Sequence, residues 1–186
     1  MVRDSEATRR RLLDAARAEF AEYGIAGARV DRIAEAARSN KAQIYHYYGS
    51  KDALFDAVWE DLVVKVTEET PLDVNDLAGY AVRLADGFLA APQFARLIGW
   101  QRLERSNDPP HEVAVTSTLE KADAIAAAQK AGLVSKRFDS RVLLGLLIYI
   151  ASFWAASSPD ILAVMGVENP KARRATIEKA AASLLA

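Results

Sequence analysis

The chain has 186 residues, of which 51 % are hydrophobic and 26 % charged, with a formal net charge of −1. That balance belongs to a folded globular protein rather than a disordered one. With no cysteine, disulfides, thiolate metal sites and cysteine nucleophiles are excluded; His46 and His111 alone are too few for a histidine metal centre.

The near-neutral total conceals an uneven distribution. Residues 1–51 hold ten Lys/Arg against seven Asp/Glu, whereas the remainder holds fourteen against eighteen. A small basic head on a larger acidic body suggests a polyanion-binding module joined to something else. No apolar run follows the first charges, so a secretory signal is not expected and a cytoplasmic location is. The longest apolar stretch, Val142 to Ala156, falls short of the roughly 20 residues a membrane span requires.

Strand signals are almost absent, and turn residues divide the chain into about nine helical segments. The first, Thr8 to Tyr23, places Leu12, Ala16, Phe20 and Tyr23 at helical spacing, and Gly24 offers a C-terminal stop. The second, Val30 to Ala37, carries Val30, Ile33, Ala34 and Ala37 as one stripe. The third starts at Lys41, with Asn40 as N-cap and Gln43 as reciprocal partner in a capping box. The fourth begins after Ser50 and runs to about Thr70. Two short helices joined by three residues and braced by a longer one form a helix-turn-helix. Such short helices are marginal alone. This pair must borrow stability through Phe20, Ile33, Ile44, Tyr48 and Leu54.

With Ile44 and Tyr48 turned inward, the third helix shows Lys41, Ala42, Gln43, Tyr45, His46 and Tyr47 to its surroundings. Lysine donates to guanine O6 and N7, and glutamine pairs with adenine N6 and N7. A small Ala42 permits close approach, and tyrosine hydroxyls suit phosphate oxygens, so the set points to a DNA duplex. The alternative is that Tyr45 and Tyr47 cover a neighbouring helix. Lys51 opens a helix, where the macrodipole disfavours a cation, and an anion such as a DNA phosphate would explain it. A harmless exposed lysine is the alternative there.

The run Val30-Asp31-Arg32-Ile33-Ala34-Glu35-Ala36-Ala37, the turn Arg38-Ser39-Asn40 and the segment from Lys41 through Tyr48-Gly49-Ser50-Lys51 to Leu54 resemble the tetracycline-repressor (TetR) family of bacterial regulators. The resemblance implies an all-α fold. Residues 1–50 would form a three-helix DNA-binding domain, and residues 51–186 a helical effector-binding and dimerisation domain. It implies base contacts from Lys41, Ala42 and Gln43, base or phosphate contacts from Tyr45 and Tyr47, and a phosphate contact from Lys51, with Arg29 as a further contact. Two departures stand out. Arg38 occupies a position where most members have glycine, so the turn is either strained, differently shaped, or the site of an added phosphate contact. Ala28 and Arg29 stand where the family favours threonine, so the second helix lacks its usual N-cap.

The Val142–Ala156 segment is apolar around nearly its whole circumference, which predicts burial on one side by its own domain and on the other by a second subunit. The last segment, with Ile177, Ala181, Leu184 and Leu185, would join it. Self-contained burial within a larger core is the alternative. By resemblance, such a pair of helices forms a dimeric four-helix bundle, with Leu143, Leu147, Ile150, Trp154, Ile177 and Leu184 at the interface. A near-palindromic operator would follow. The resemblance also places Trp59, Tyr80, Phe88, Phe94, Trp100 and His111 around a pocket for a mostly apolar small-molecule effector, with Arg96, Gln101 and Arg102 placed to orient it. Aromatics are equally what any helical core uses. No catalytic constellation, metal site or cofactor motif is present in the sequence, so an enzyme is not expected; what the resemblance implies is a homodimeric repressor released by an effector. The competing expectation is a constitutive DNA-binding regulator.

Overall fold

The computed structural model describes residues 2–166 and 169–186. Among them are ten helices and no strand, against the nine or so expected. They gather into two compact units. The first comprises residues up to Lys65 together with Gln93–His111, and the second comprises Val66–Pro92 and Glu112–Ala186.

In the first unit, α1 (Val2–Gly27) buries Leu12, Ala16 and Phe20 completely, three of the four residues in the stripe its spacing predicts; the fourth, Tyr23, stays 48 % exposed. Gly24 interrupts the helix rather than ending it. Its φ of 73° and ψ of 180° kink the chain, which then turns once more to Gly27. A β-carbon at Gly24 would lie 2.5 Å from Glu104 Oε1 and 2.9 Å from the Trp100 ring, so glycine is needed here for close approach as well as for conformation. Helix α2 (Val30–Ala36) buries Ile33 and Ala34. Helix α3 (Lys41–Tyr48) buries Ile44, and its Asn40 cap accepts from the Gln43 N–H at 3.0 Å. Helix α4 (Lys51–Glu69) begins on Ser50 Oγ, which accepts from the Ala53 N–H, and sinks Leu54, Phe55 and Val58. Helix α6 (Pro92–Glu104) completes the unit with Phe94 and Leu97. The unit therefore extends beyond residue 50, taking in α4 as far as Lys65 and α6 from Gln93 onward.

The second unit is assembled around a continuous apolar core. Helix α5 (Leu77–Ala90) contributes Leu77, Tyr80, Ala81 and Leu84, and α7 (Glu112–Lys130) contributes Ala122, Ile125 and Ala128. Helix α8 (Ser140–Ala156) adds Leu143, Leu144, Leu147, Ala151 and Trp154; α10 (Pro170–Leu185) adds Ile177 and Ala181. The short α9 (Pro159–Met165) lies between them in sequence, capped by Ser158 with proline at its first turn. The buried Gln129 amide shapes the turn from α7 to α8 by donating to the carbonyls of Ser135 and Phe138 at 2.8 and 2.9 Å. Arg174 grips the Asp86 carboxylate with two nitrogens, tying α10 to α5. No single helix among the described residues is long and apolar enough to cross a membrane.

Candidate nucleic-acid interface

Helix α3 stands on Ile44, which is wholly buried, and turns Lys41, Ala42, Tyr45 and His46 outward. Tyr45 keeps 50 % of its surface exposed, so it covers no neighbouring helix to any large extent. Tyr47 and Gln43 are half-buried. The Tyr47 hydroxyl meets Ser5 Oγ at 3.1 Å, while its ring lies edge-on to His46. The Tyr48 hydroxyl donates to the Arg9 carbonyl at 3.0 Å, and burial pushes that phenol above its ordinary range. A short helix is thus anchored from behind by one aliphatic and two phenolic groups, leaving its outer face polar.

The turn before α3 carries the strain that the arginine substitution predicts. Arg38 sits at φ 51°, in the left-handed region, and no other non-glycine residue among those described has positive φ. The conformation is held by Arg38 N–H donating to Glu35 O and Ser39 N–H donating to Ala34 O, at 3.0 and 2.9 Å. Such a backbone costs an L-residue about 1–2 kcal/mol. The capping box is only half formed. Gln43 lends its N–H to Asn40, but its side-chain oxygen accepts from Ser39 Oγ instead of returning to the cap. That bond draws the Gln43 amide towards the turn, with its nitrogen still available.

Helix α2 lacks a side-chain cap of its own, as the missing threonine predicts. A distant residue replaces it: Glu19 on α1, nine-tenths buried, accepts from the Arg29 N–H at 2.9 Å and from Arg32 Nε at 2.7 Å. Nothing in the local sequence around α2 signals this partner. The Arg29 side chain is exposed. Lys41 pairs with Asp31 of α2, both well exposed, a contact worth little in water and open to competition by another anion. Lys51 is tied differently from the expectation. Its ammonium donates to Ala26 O and Ala28 O at 3.3 and 3.2 Å, closing carbonyls left over where α1 ends and α2 has not begun.

Helix α6 braces the far end of α1. Trp100 Nε1 and Arg96 Nε both donate to Ala21 O, at 3.2 and 2.7 Å, and Glu104 accepts from the Ala26 N–H at 2.8 Å. Arg105, just beyond α6, bridges Asp52 and Asp56 of α4 and lies over the Phe55 ring.

The six residues expected around an effector are distributed over both units. Trp59, Phe94, Trp100 and His111 belong to the first. Trp59 stacks beside Phe55 and leans on His111, and Phe94 is buried beneath the Lys65 ammonium. Tyr80 and Phe88 belong to the second unit, where burial raises the Tyr80 phenol to about 12. Of the polar residues expected to orient a ligand, Arg96 is committed to the α1 carbonyls and Arg102 is exposed. Gln101 Oε1 and Trp59 Nε1 are buried without a hydrogen-bond partner. A cavity of about 110 Å³ in the second unit is lined instead by Val74, Asn75, Leu77, Leu133, Val134, Ser135 and Leu185.

The residues expected at a dimer interface are placed differently. Leu143, Leu147, Trp154 and Ile177 are buried in the core of their own unit, and Ile150 and Leu184 are partly buried against it. Almost no surface of the first four, at most 7 % on Trp154, is left for a second chain. The face of α8 that remains open is Val142, Tyr149 and Phe153, exposed by 53, 65 and 42 %. An all-round apolar helix does not disclose which of its sides its own domain covers.

Two family models match the chain. One, described as bacterial regulatory proteins, tetR family, covers residues 12–58, and the other, tetracyclin repressor-like, C-terminal domain, covers residues 76–182. The HTH-type transcriptional repressor SCO4008 of Streptomyces coelicolor is 38 % identical over 185 residues, 97 % of this chain and 96 % of the relative. The crystal structure of SCO4942 from the same species has a TM-score of 0.83 at 41 % identity, covering 94 % of this chain and 96 % of that one. FadR from Bacillus subtilis, solved with stearoyl-CoA, has a TM-score of 0.68 at 13 % identity, covering 96 % and 98 %, a likeness of fold alone. A helix-turn-helix unit followed by a helical unit is the architecture of a one-chain regulator, and these matches specify which kind. The chain belongs to the TetR family of DNA-binding transcriptional repressors.

Proposed function

We propose that the chain binds a near-palindromic operator as a homodimer, with α3 in the major groove, and is released from it by a small-molecule effector. Residues 1–50, joined by Lys51 at the start of α4, supply the DNA contacts in this reading, and residues 51–186 the effector response and the dimer. The observation that carries it is the outward set of Lys41, Ala42, Tyr45 and His46 on a helix pinned by the buried Ile44. Gln43, half-buried, joins them through its free amide nitrogen, and Tyr47 at its edge. Arg29 and Arg38, exposed at the two ends of α2, suit phosphates. Lys51 reaches a phosphate only by sharing its ammonium with the carbonyls of Ala26 and Ala28. For a second subunit, the open apolar face of α8 supports a two-fold contact through Val142, Tyr149 and Phe153. The buried, unpartnered Trp59 Nε1 and Gln101 Oε1 favour a ligand-responsive regulator over a constitutive one, since each is a polar group awaiting a partner.

Selection of bound fragments from random DNA with the purified protein tests the reading directly. A palindromic consensus is the expected result; fragments without common sequence would overturn it. On that consensus, Gln43→Ala should weaken binding by about 1–3 kcal/mol and relax preference at one base pair. Lys51→Ala should weaken all sequences alike and lower the salt slope by about one. Equal loss of sequence preference from both variants would contradict these roles.

A further inference from the structure

Lys121 of α7 shares with Lys51 an ammonium tied to uncharged oxygens, but its partners include two hydroxyls. It is half-buried, and no carboxylate among the described residues forms an ion pair with it. Its ammonium is held by neutral oxygens only: Ser117 Oγ, Ser117 O at 3.3 Å and Thr67 Oγ1 at 3.2 Å. The two hydroxyls meet each other at 2.9 Å. Burial pushes the ammonium below the ordinary lysine range, with Glu120 acting weakly the other way. All three side chains belong to the second unit, on the last turns of α4 and the middle of α7.

A half-buried ammonium without a counter-charge is costly to fold around, and a methionine or leucine would fill the same volume without that cost. The hydroxyls are equally telling. Each is donor and acceptor; the bond between them uses one proton and leaves the other free. The ammonium spends its three N–H donors on Ser117 Oγ, Ser117 O and Thr67 Oγ1; an anion that displaced the two longer bonds, at 3.3 and 3.2 Å, would meet one positive charge and one free O–H. We infer that Lys121, Thr67 and Ser117 form an anion site for the carboxylate of an organic acid. The charge count favours a carboxylate over phosphate, which would keep part of its charge unmatched in a half-buried setting. In assigning that acid as the effector, the inference rests on the ligand-responsive reading above; as a binding site it does not.

The full-length protein and its Lys121→Met variant are melted with hexanoate, with hexanamide, with inorganic phosphate and with sodium chloride at matched ionic strength. Hexanoate should raise the wild-type melting temperature by about 5 °C or more at a hundredfold excess over its Kd. Hexanamide and chloride should not. Lys121→Met should melt at or above the wild type without ligand and lose the response. Thr67→Val, which keeps both shape and charge, should need about tenfold more hexanoate for the same shift. Overturning results are no hexanoate effect on the wild type, or equal shifts from hexanoate in wild type and Lys121→Met. Equal stabilisation by phosphate would overturn the carboxylate assignment. Saturating hexanoate binding that leaves operator affinity unchanged would keep the site and remove the effector reading.

Discussion

The two units are stabilised on different grounds. The first is laced by polar ties between helices: Trp100 and Arg96 onto Ala21 O, Glu104 onto the Ala26 N–H, Lys51 onto Ala26 O and Ala28 O, and Arg105 across Asp52 and Asp56. The second rests on one apolar core from α5, α7, α8 and α10, with Gln129 and the Arg174–Asp86 pair as its main polar struts. The two shortest helices of the first unit account for part of the contrast. Helices α2 and α3 have 7 and 8 residues, too few to bury much apolar surface, and their unmatched N–H and C=O groups are a large share of the whole. Helices of 14 to 19 residues, as in α5, α7 and α8, bury enough to hold themselves together.

Charging the second unit's core should break the comparison most severely. Leu147→Glu places a carboxylate in a wholly buried site and should abolish cooperative unfolding of that unit, followed by circular dichroism. Tyr149→Glu, two residues along and facing out, should leave the melting profile intact but shift sedimentation towards monomer. If both variants fold alike, the inner and outer faces of α8 have been misassigned. In the first unit, Gly24→Ala meets both a positive φ and the Glu104 and Trp100 side chains, and should destabilise by about 2–4 kcal/mol in denaturant titration. A cost below about 1 kcal/mol would show that α6 yields easily there. Smallest is Arg38→Gly, which relieves the left-handed backbone and should stabilise by up to about 1 kcal/mol. A measured loss of stability instead would mean that the arginine side chain contributes more than its backbone costs.

The helix-turn-helix was legible because its information is local. The Ile33–Ala34–Ala37 stripe, the Asn40 cap and the inward Ile44 follow from spacing and side-chain type, and the structure has all of them. Arg38 was legible as a strained position by its contrast with glycine. What escaped the sequence depends on distant partners. Glu19 caps α2 from ten residues away, Ser39 captures the Gln43 side chain, and α6 sends Glu104 onto the resumed turn after Gly24. Lys51 was singled out for its awkward place at a helix start, yet the carbonyls it meets come from 23 and 25 residues upstream. On α8 the pattern told that every side is apolar, and so could not tell that Leu143 and Leu147 face inward while Val142 and Tyr149 face out.

The position of the indoles gives the molecule a practical property. Of three tryptophans, Trp59 and Trp100 lie in the first unit and Trp154 in the core of the second. Because Trp100 Nε1 is bonded to Ala21 O, its emission reports on the attachment of α6 to the end of α1. Replacing Trp59 and Trp100 with phenylalanine leaves a fluorophore in one half, and replacing Trp154 leaves fluorophores in the other. The chain therefore carries its own optical labels, and the arrival of DNA or of a small acid can be timed in each half without attaching a dye.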